Sequence, residues 1–232
     1  MEVALSVGGA ARRLGAIAVL AACHASPPAV GPAAAQGARG TAGDSARADS
    51  ARRGTRGTLI PAGYGSLRRD DVAVRVQTLG LTVTAIPLDE GVLRTLSPDS
   101  YKALHALRES KAKALDSISA RMGLPSVQAW QVLFFNQEQG EARFDPNEIV
   151  IRSVGRDFRP LRVLPISPGF SDGRLAQRAT KQAVYAFDAG IDLSQPLSVT
   201  IGTQESSAWG DILQRLERER SLVWSRAAAA KP

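Results

Sequence analysis

The chain has 232 residues but only one cysteine, Cys23, and only two histidines, His24 and His105. A single cysteine excludes an intrachain disulfide framework and any cysteine-rich metal site. With so few imidazoles, a Ser-His-Asp arrangement would have to use His105, and no Gly-x-Ser-x-Gly elbow accompanies it. No glycine-rich loop ends in Lys-Ser or Lys-Thr to cradle a phosphate. Charge of one sign is never concentrated. The formal net charge is +7, yet residues 1–57 carry seven arginines and three acids, and residues 58–232 carry 22 bases and 19 acids. No block of five or six like charges occurs, which argues against a nucleic-acid partner.

What is present at the start is a leader. Arg12 and Arg13 precede the uncharged run Leu14 to Ala22. Nine residues rise about 13 Å as a helix, too little for a hydrocarbon core of roughly 30 Å. The basic residues and short apolar stretch have the order and length of an export signal. The run closes Leu20-Ala21-Ala22-Cys23. This sequence resembles the lipobox of bacterial lipoproteins, an aliphatic residue and two small residues before a cysteine. The resemblance covers about 23 residues. It implies cleavage between Ala22 and Cys23 and a diacylglyceryl thioether on Cys23. It also implies a lipid-anchored place in the cell envelope, with the rest of the chain outside the cytoplasm. Residues 1–22 are then a signal peptide.

Residues 23–57 follow as the lipidated cysteine and a tether. From His24 to Gly57 the sequence is mainly Ala, Gly, Ser, Pro and Arg, without an aromatic. Such a composition buries too little apolar surface to offset the entropy of ordering. About 34 flexible residues have a mean reach near 30 Å. His24 lies here and carries no assigned role.

Residues 58–232 read as one globular domain. Val72, Val74 and Val76 alternate with other residues, and Leu79, Leu81, Val83 and Ala85 alternate with opposite parity, with Gly80 at the switch. Ser97-Pro98-Asp99 opens a helix over about 98–122 whose apolar stripe is Leu104, Leu107, Leu115, Ile118 and Met122. Gly123-Leu124-Pro125 stops it. Val127 to Phe135 reads as a central buried strand. Ile149 and Ile151, Leu161 and Val163, Ala183 to Phe187, and Leu197 to Ile201 mark further strands. Pro160 points to an edge position for one of them. A second helix runs over about 207–226, capped by Ser206 or Ser207, with Trp209, Ile212, Leu213, Leu216 and Val223 inward and an Arg215–Glu219 pair outward.

This pattern is mainly β. It favours an antiparallel sandwich with one inserted helix and a C-terminal helix; a mixed α+β sheet packed by two helices is the alternative. The spacing is similar to immunoglobulin-like modules of exported bacterial proteins, without the paired cysteines of antibody-type domains.

No catalytic, cofactor-binding or metal residues emerge. His105 reads as a structural or surface histidine. Asp70-Asp71 and Asp89-Glu90 are adjacent pairs, which a strand would aim to opposite faces. Asp188 and Asp192 bound a turn and lack the ligand density of a calcium loop. Trp130, Phe134 and Phe135 read as core, and Trp224 as exposed. The expected role is a non-enzymatic binding or assembly domain, bound to a membrane by its lipid, whose partner is an envelope protein or a glycan. An exported hydrolase with a carboxylate site is the alternative. Loops 136–147 and 164–173 are the surfaces to inspect.

Overall fold

The computed structural model describes residues 59–230. The leader, the Ala22–Cys23 junction and the whole of the expected tether lie outside the described residues. The fold is a mainly β, antiparallel sandwich. Its larger sheet has the order β1 (Val74–Gln77), β2 (Leu81–Pro87), β3 (Val127–Asn136), β9 (Thr180–Asp188) and β7 (Arg162–Pro165). The smaller sheet has the order β11 (Gln204–Ser206), β10 (Leu197–Ile201), β5 (Ile149–Ser153) and β6 (Arg156–Phe158). A short pair, β4 (Ala142–Arg143) with β8 (Arg174–Leu175), completes the strands.

The alternation in the sequence becomes register. Val74 pairs with Ala85 and Val76 with Val83, so both parities meet on one face through the hairpin at Leu79-Gly80. Gly80 has φ 82°, a conformation costly for a residue with a Cβ. Leu79 sits at the tip and is 99% exposed. β3 is central, with β2 and β9 on either side. Its even-numbered residues Trp130, Val132 and Phe134 face the interior together with Tyr185 and Ala183 of β9. There Phe134 stacks on Phe144 with ring centroids 4.3 Å apart, Phe170 meets both edge-on, and Trp130 lies 6.1 Å from Trp209. Each large side chain withdrawn from water contributes roughly 1.5–3 kcal/mol.

The opposite face of the larger sheet carries Ile86, Gln131 and Val184, all buried beneath α2 (Pro98–Met122), which lies across β3 and β9. Gly123 ends this helix at φ 64°, with Gly123 N–H donating to Ala120 O and Leu124 N–H to Ser119 O. Leu104, Leu115 and Ile118 are buried as expected. Leu107 is half-buried, and Met122, beyond the edge of the covered surface, is 54% exposed. Ser97 occupies the N-cap position, but its hydroxyl turns to Ser100 rather than to the helix backbone.

Three further expectations are corrected. The last helix, α3, runs Trp209–Ala229 with Ala208 as its N-cap, because Ser206 is claimed by β11 opposite Val199. Phe135 lies on the outer face of the sheet and is partly exposed. Glu219 does not pair outward with Arg215. It is buried within the stripe Ile212, Leu216 and Val223, while Arg215 reaches Asp71.

Glu219 holds the chain that enters the domain. Its Oε1 accepts from Ser66 N–H at 2.8 Å, from Ser66 Oγ at 2.9 Å and from Arg226 Nη1 at 2.6 Å. Arg226 also donates to Tyr64 O, and Arg94 to Ile60 O. Leu67 makes a parallel bridge with Leu96. A Cβ on Gly65 would stand 2.2 Å from Thr95 O, so only glycine permits this approach.

Candidate functional site

The residues singled out for chemistry do not converge. Asp70 pairs with Arg75 at 2.9 Å. Asp71 accepts from Arg68 N–H and faces Arg215. Asp188 accepts from Gly190 N–H, and Asp192 from the N–H and hydroxyl of Ser194, so each carboxylate closes its own turn. Among the described residues no group of three or more His, Asp or Glu side chains is placed to hold a metal ion. Loops 136–147 and 164–173 are largely exposed but anchored from within: Asn136 is buried and donates to Gly140 O, Leu175 O and Ala176 O, and Phe144 and Phe170 join the aromatic core. Trp224 is exposed on α3, as expected.

A wider concavity lies elsewhere. A groove of about 840 Å³ crosses the end of the sandwich where β3 begins. One wall is α2, from Arg108 and Glu109 to Asp116 and Ser119. The floor is Val127 to Ala129. The far wall is the loop Ala189 to Ser194 with Arg220 of α3, and Leu59 and Ile60 stand at the side.

Its near rim is built by a short helix, α1 (Glu90–Leu93), that follows β2 directly. Asp89 is its N-cap, accepting from Gly91 N–H at 2.8 Å. The next residue, Glu90, is a charged node. Its Oε2 accepts from Arg94 Nε at 2.9 Å, while Oε1 meets His105 Nδ1 at 2.8 Å and Arg108 Nη1 at 3.3 Å. Burial pushes the Glu90 carboxyl upward. The hydrogen bonds from Arg94 and His105, with the charges of His105 and Arg108, outweigh it, so the net position is below the usual carboxylate range. Tyr101 stacks on His105 at 5.2 Å, and desolvation together with the Glu90 charge raises its phenol.

The groove's charges are unequally engaged. Arg108 is held by Glu90, and Arg220 by Glu217 and Gly91 O. The acids that line it, Asp89, Glu109, Asp116 and Asp192, form no ion pair among the described residues. The arrangement presents negative charge and hydrogen-bonding groups.

Sequence reasoning missed this site. Asp89-Glu90 has the look of a carboxylate pair in sequence, although Asp after Pro87 and before an apolar pair is also a helix-start signal. The groove depends on where β2 stops relative to β3, which local patterning does not encode. Comparison with known proteins returns no matching family model, no similar curated protein and no similar solved structure.

Proposed function

We propose that the chain is a lipid-anchored protein of the bacterial cell envelope. Its sandwich serves as a non-enzymatic binding or assembly domain. The observation that carries this reading is the order Arg12-Arg13, apolar run, Leu20-Ala21-Ala22-Cys23. Small residues before the cysteine admit a processing peptidase to the backbone, and the thiol forms a stable thioether with lipid. One acyl chain alone gives only marginal membrane binding, whereas a multiply acylated cysteine holds a domain firmly. Residues 24–57 act as the spacer between lipid and domain. The binding role is supported by the division of labour among the carboxylates. Those at Asp70, Asp71 and Asp188 serve turns and ion pairs away from the groove, while Glu109 and Asp116 stand on its open wall and Asp89 and Asp192 cap a helix and a turn at its edges. Metabolic labelling with a fatty acid tests the anchor. The wild type is expected to incorporate label and Cys23→Ser to incorporate none; equal labelling of the two would refute lipidation at this position.

A further inference from the structure

The groove has a feature that charge alone does not explain. The ladder between β2 and β3 places Pro87 opposite Trp130. The final rung is Leu88 N–H donating to Ala129 O at 2.8 Å. Continuing that register sets Glu90 opposite Val127, but Glu90 has already turned into α1. Successive odd residues of β3 aim their peptide groups toward β2, so the N–H and C=O of Val127 point to the side that β2 has vacated. That side is the groove, and Val127 lines it. No strand pairs with β3 on this side at Val127, and no turn or loop hydrogen bond reaches it among the described residues. Beside it the Oε1 of Gln128, which also lines the groove, is buried without a partner. Unpaired backbone groups and a buried, unpartnered carbonyl are the features that a bound chain satisfies.

We infer that the groove takes an extended, basic peptide from a partner protein. The inference rests on the reading of the domain as a binding module. One residue of the peptide forms a strand rung with Val127. Lysine or arginine side chains on either side meet Glu109 and Asp116 from α2, and Asp192 from the opposite wall. Arg108 and Arg220 are drawn toward Glu90 and Glu217, and the four carboxylates of the groove outnumber these two cations. An anionic ligand, by contrast, would face four carboxylates, none of them in an ion pair among the described residues.

The test uses the purified full chain carrying Cys23→Ser and a fluorescent, end-blocked peptide of alternating lysine and alanine, followed by anisotropy. The peptide is expected to bind, with affinity falling as salt is added. The pair Glu109→Gln and Asp116→Asn, both exposed on the groove wall of α2, is expected to weaken binding about fivefold or more. N-methylation of the peptide backbone is expected to weaken it as well, since the rung with Val127 is lost. Four results would overturn the proposal: no binding at low salt, equal affinity for a glutamate–alanine peptide, equal affinity in the double variant, or equal affinity after N-methylation. Binding that emerges only when Arg47, Arg52, Arg53 and Arg56 are replaced would overturn it too, by assigning the groove to the chain's own upstream arginines. Because the probe is measured on Cys23→Ser, a failure here leaves the lipid anchor standing. A failure of fatty-acid labelling likewise leaves this measurement intact.

Discussion

Glu90 shows how one carboxylate can organise a junction between elements. It joins α1 to α2 through Arg94, His105 and Arg108, and its side chain is 17% exposed. Because its folded-state ionisation lies below the unfolded value, the ionised form is favoured in the native state. Its contribution to stability is therefore present above the ordinary glutamate range, about pH 4.3, and is lost as pH falls through the folded value. Glu90→Gln is expected to lower stability at neutral pH and to flatten the fall below about pH 4. Urea midpoints measured from neutral to acid pH check this, and parallel curves for variant and wild type would contradict it. Residues of this kind are hard to read in advance. Glu219 sits at helical spacing with Leu216 and Val223, but the usual rule sends a charge outward. Its partner Ser66 is 153 residues away in sequence, so nothing local announces that the carboxylate is satisfied indoors. His105 had the same difficulty: its partner is a glutamate on another helix.

At the scale of elements, long periodic segments were legible and short ones were not. α2 is marked by a Pro at N1, an apolar stripe and a glycine stop, signals that coincide with its bounds Pro98–Met122. β3 declared itself by being apolar on both faces, which its position between β2 and β9 requires. By contrast β4 and β8, of two residues each, depend on each other across the chain and leave no period to detect. The cap of α3 was misplaced because Ser206 had a competing use in a hairpin. Pro160 and Pro165 flank or end β7, an edge strand, and remove donors that another chain could use. The packing of α2 yields a direct expectation. Leu115→Ala, a site 7% exposed against the sheet, should destabilise the domain by about 2–5 kcal/mol. Met122→Ala, at an exposed site on the same stripe, should change stability by less than about 0.5 kcal/mol. Chemical denaturation of both variants checks the contrast, and equal midpoints would mean that α2 is not part of the core.

At the scale of the molecule, a helix and a second sheet cover opposite faces of one five-stranded sheet, and a C-terminal helix closes an end around Trp209. The antiparallel, mainly β character followed from alternating strands without intervening helices. The groove did not, because it is a by-product of assembly: β2 turns into α1 before β3 has run out. The clamp around residues 60–67 has a mechanical consequence. Any pull arriving from upstream of Leu59 does not reach β1 directly. It is transmitted first through Tyr64 and Ser66 to Arg226 and Glu219, and through Leu67 to Leu96. Tension is thus handed to the last helix of the chain and to the segment before α2, several contacts in parallel, while the central sheet is shielded behind them. In a single-molecule pulling experiment through the N-terminal end, Glu219→Gln should release the entry segment at lower force and leave the force that unravels the sheet unchanged. A first rupture at the wild-type force would show that the strain travels by another route.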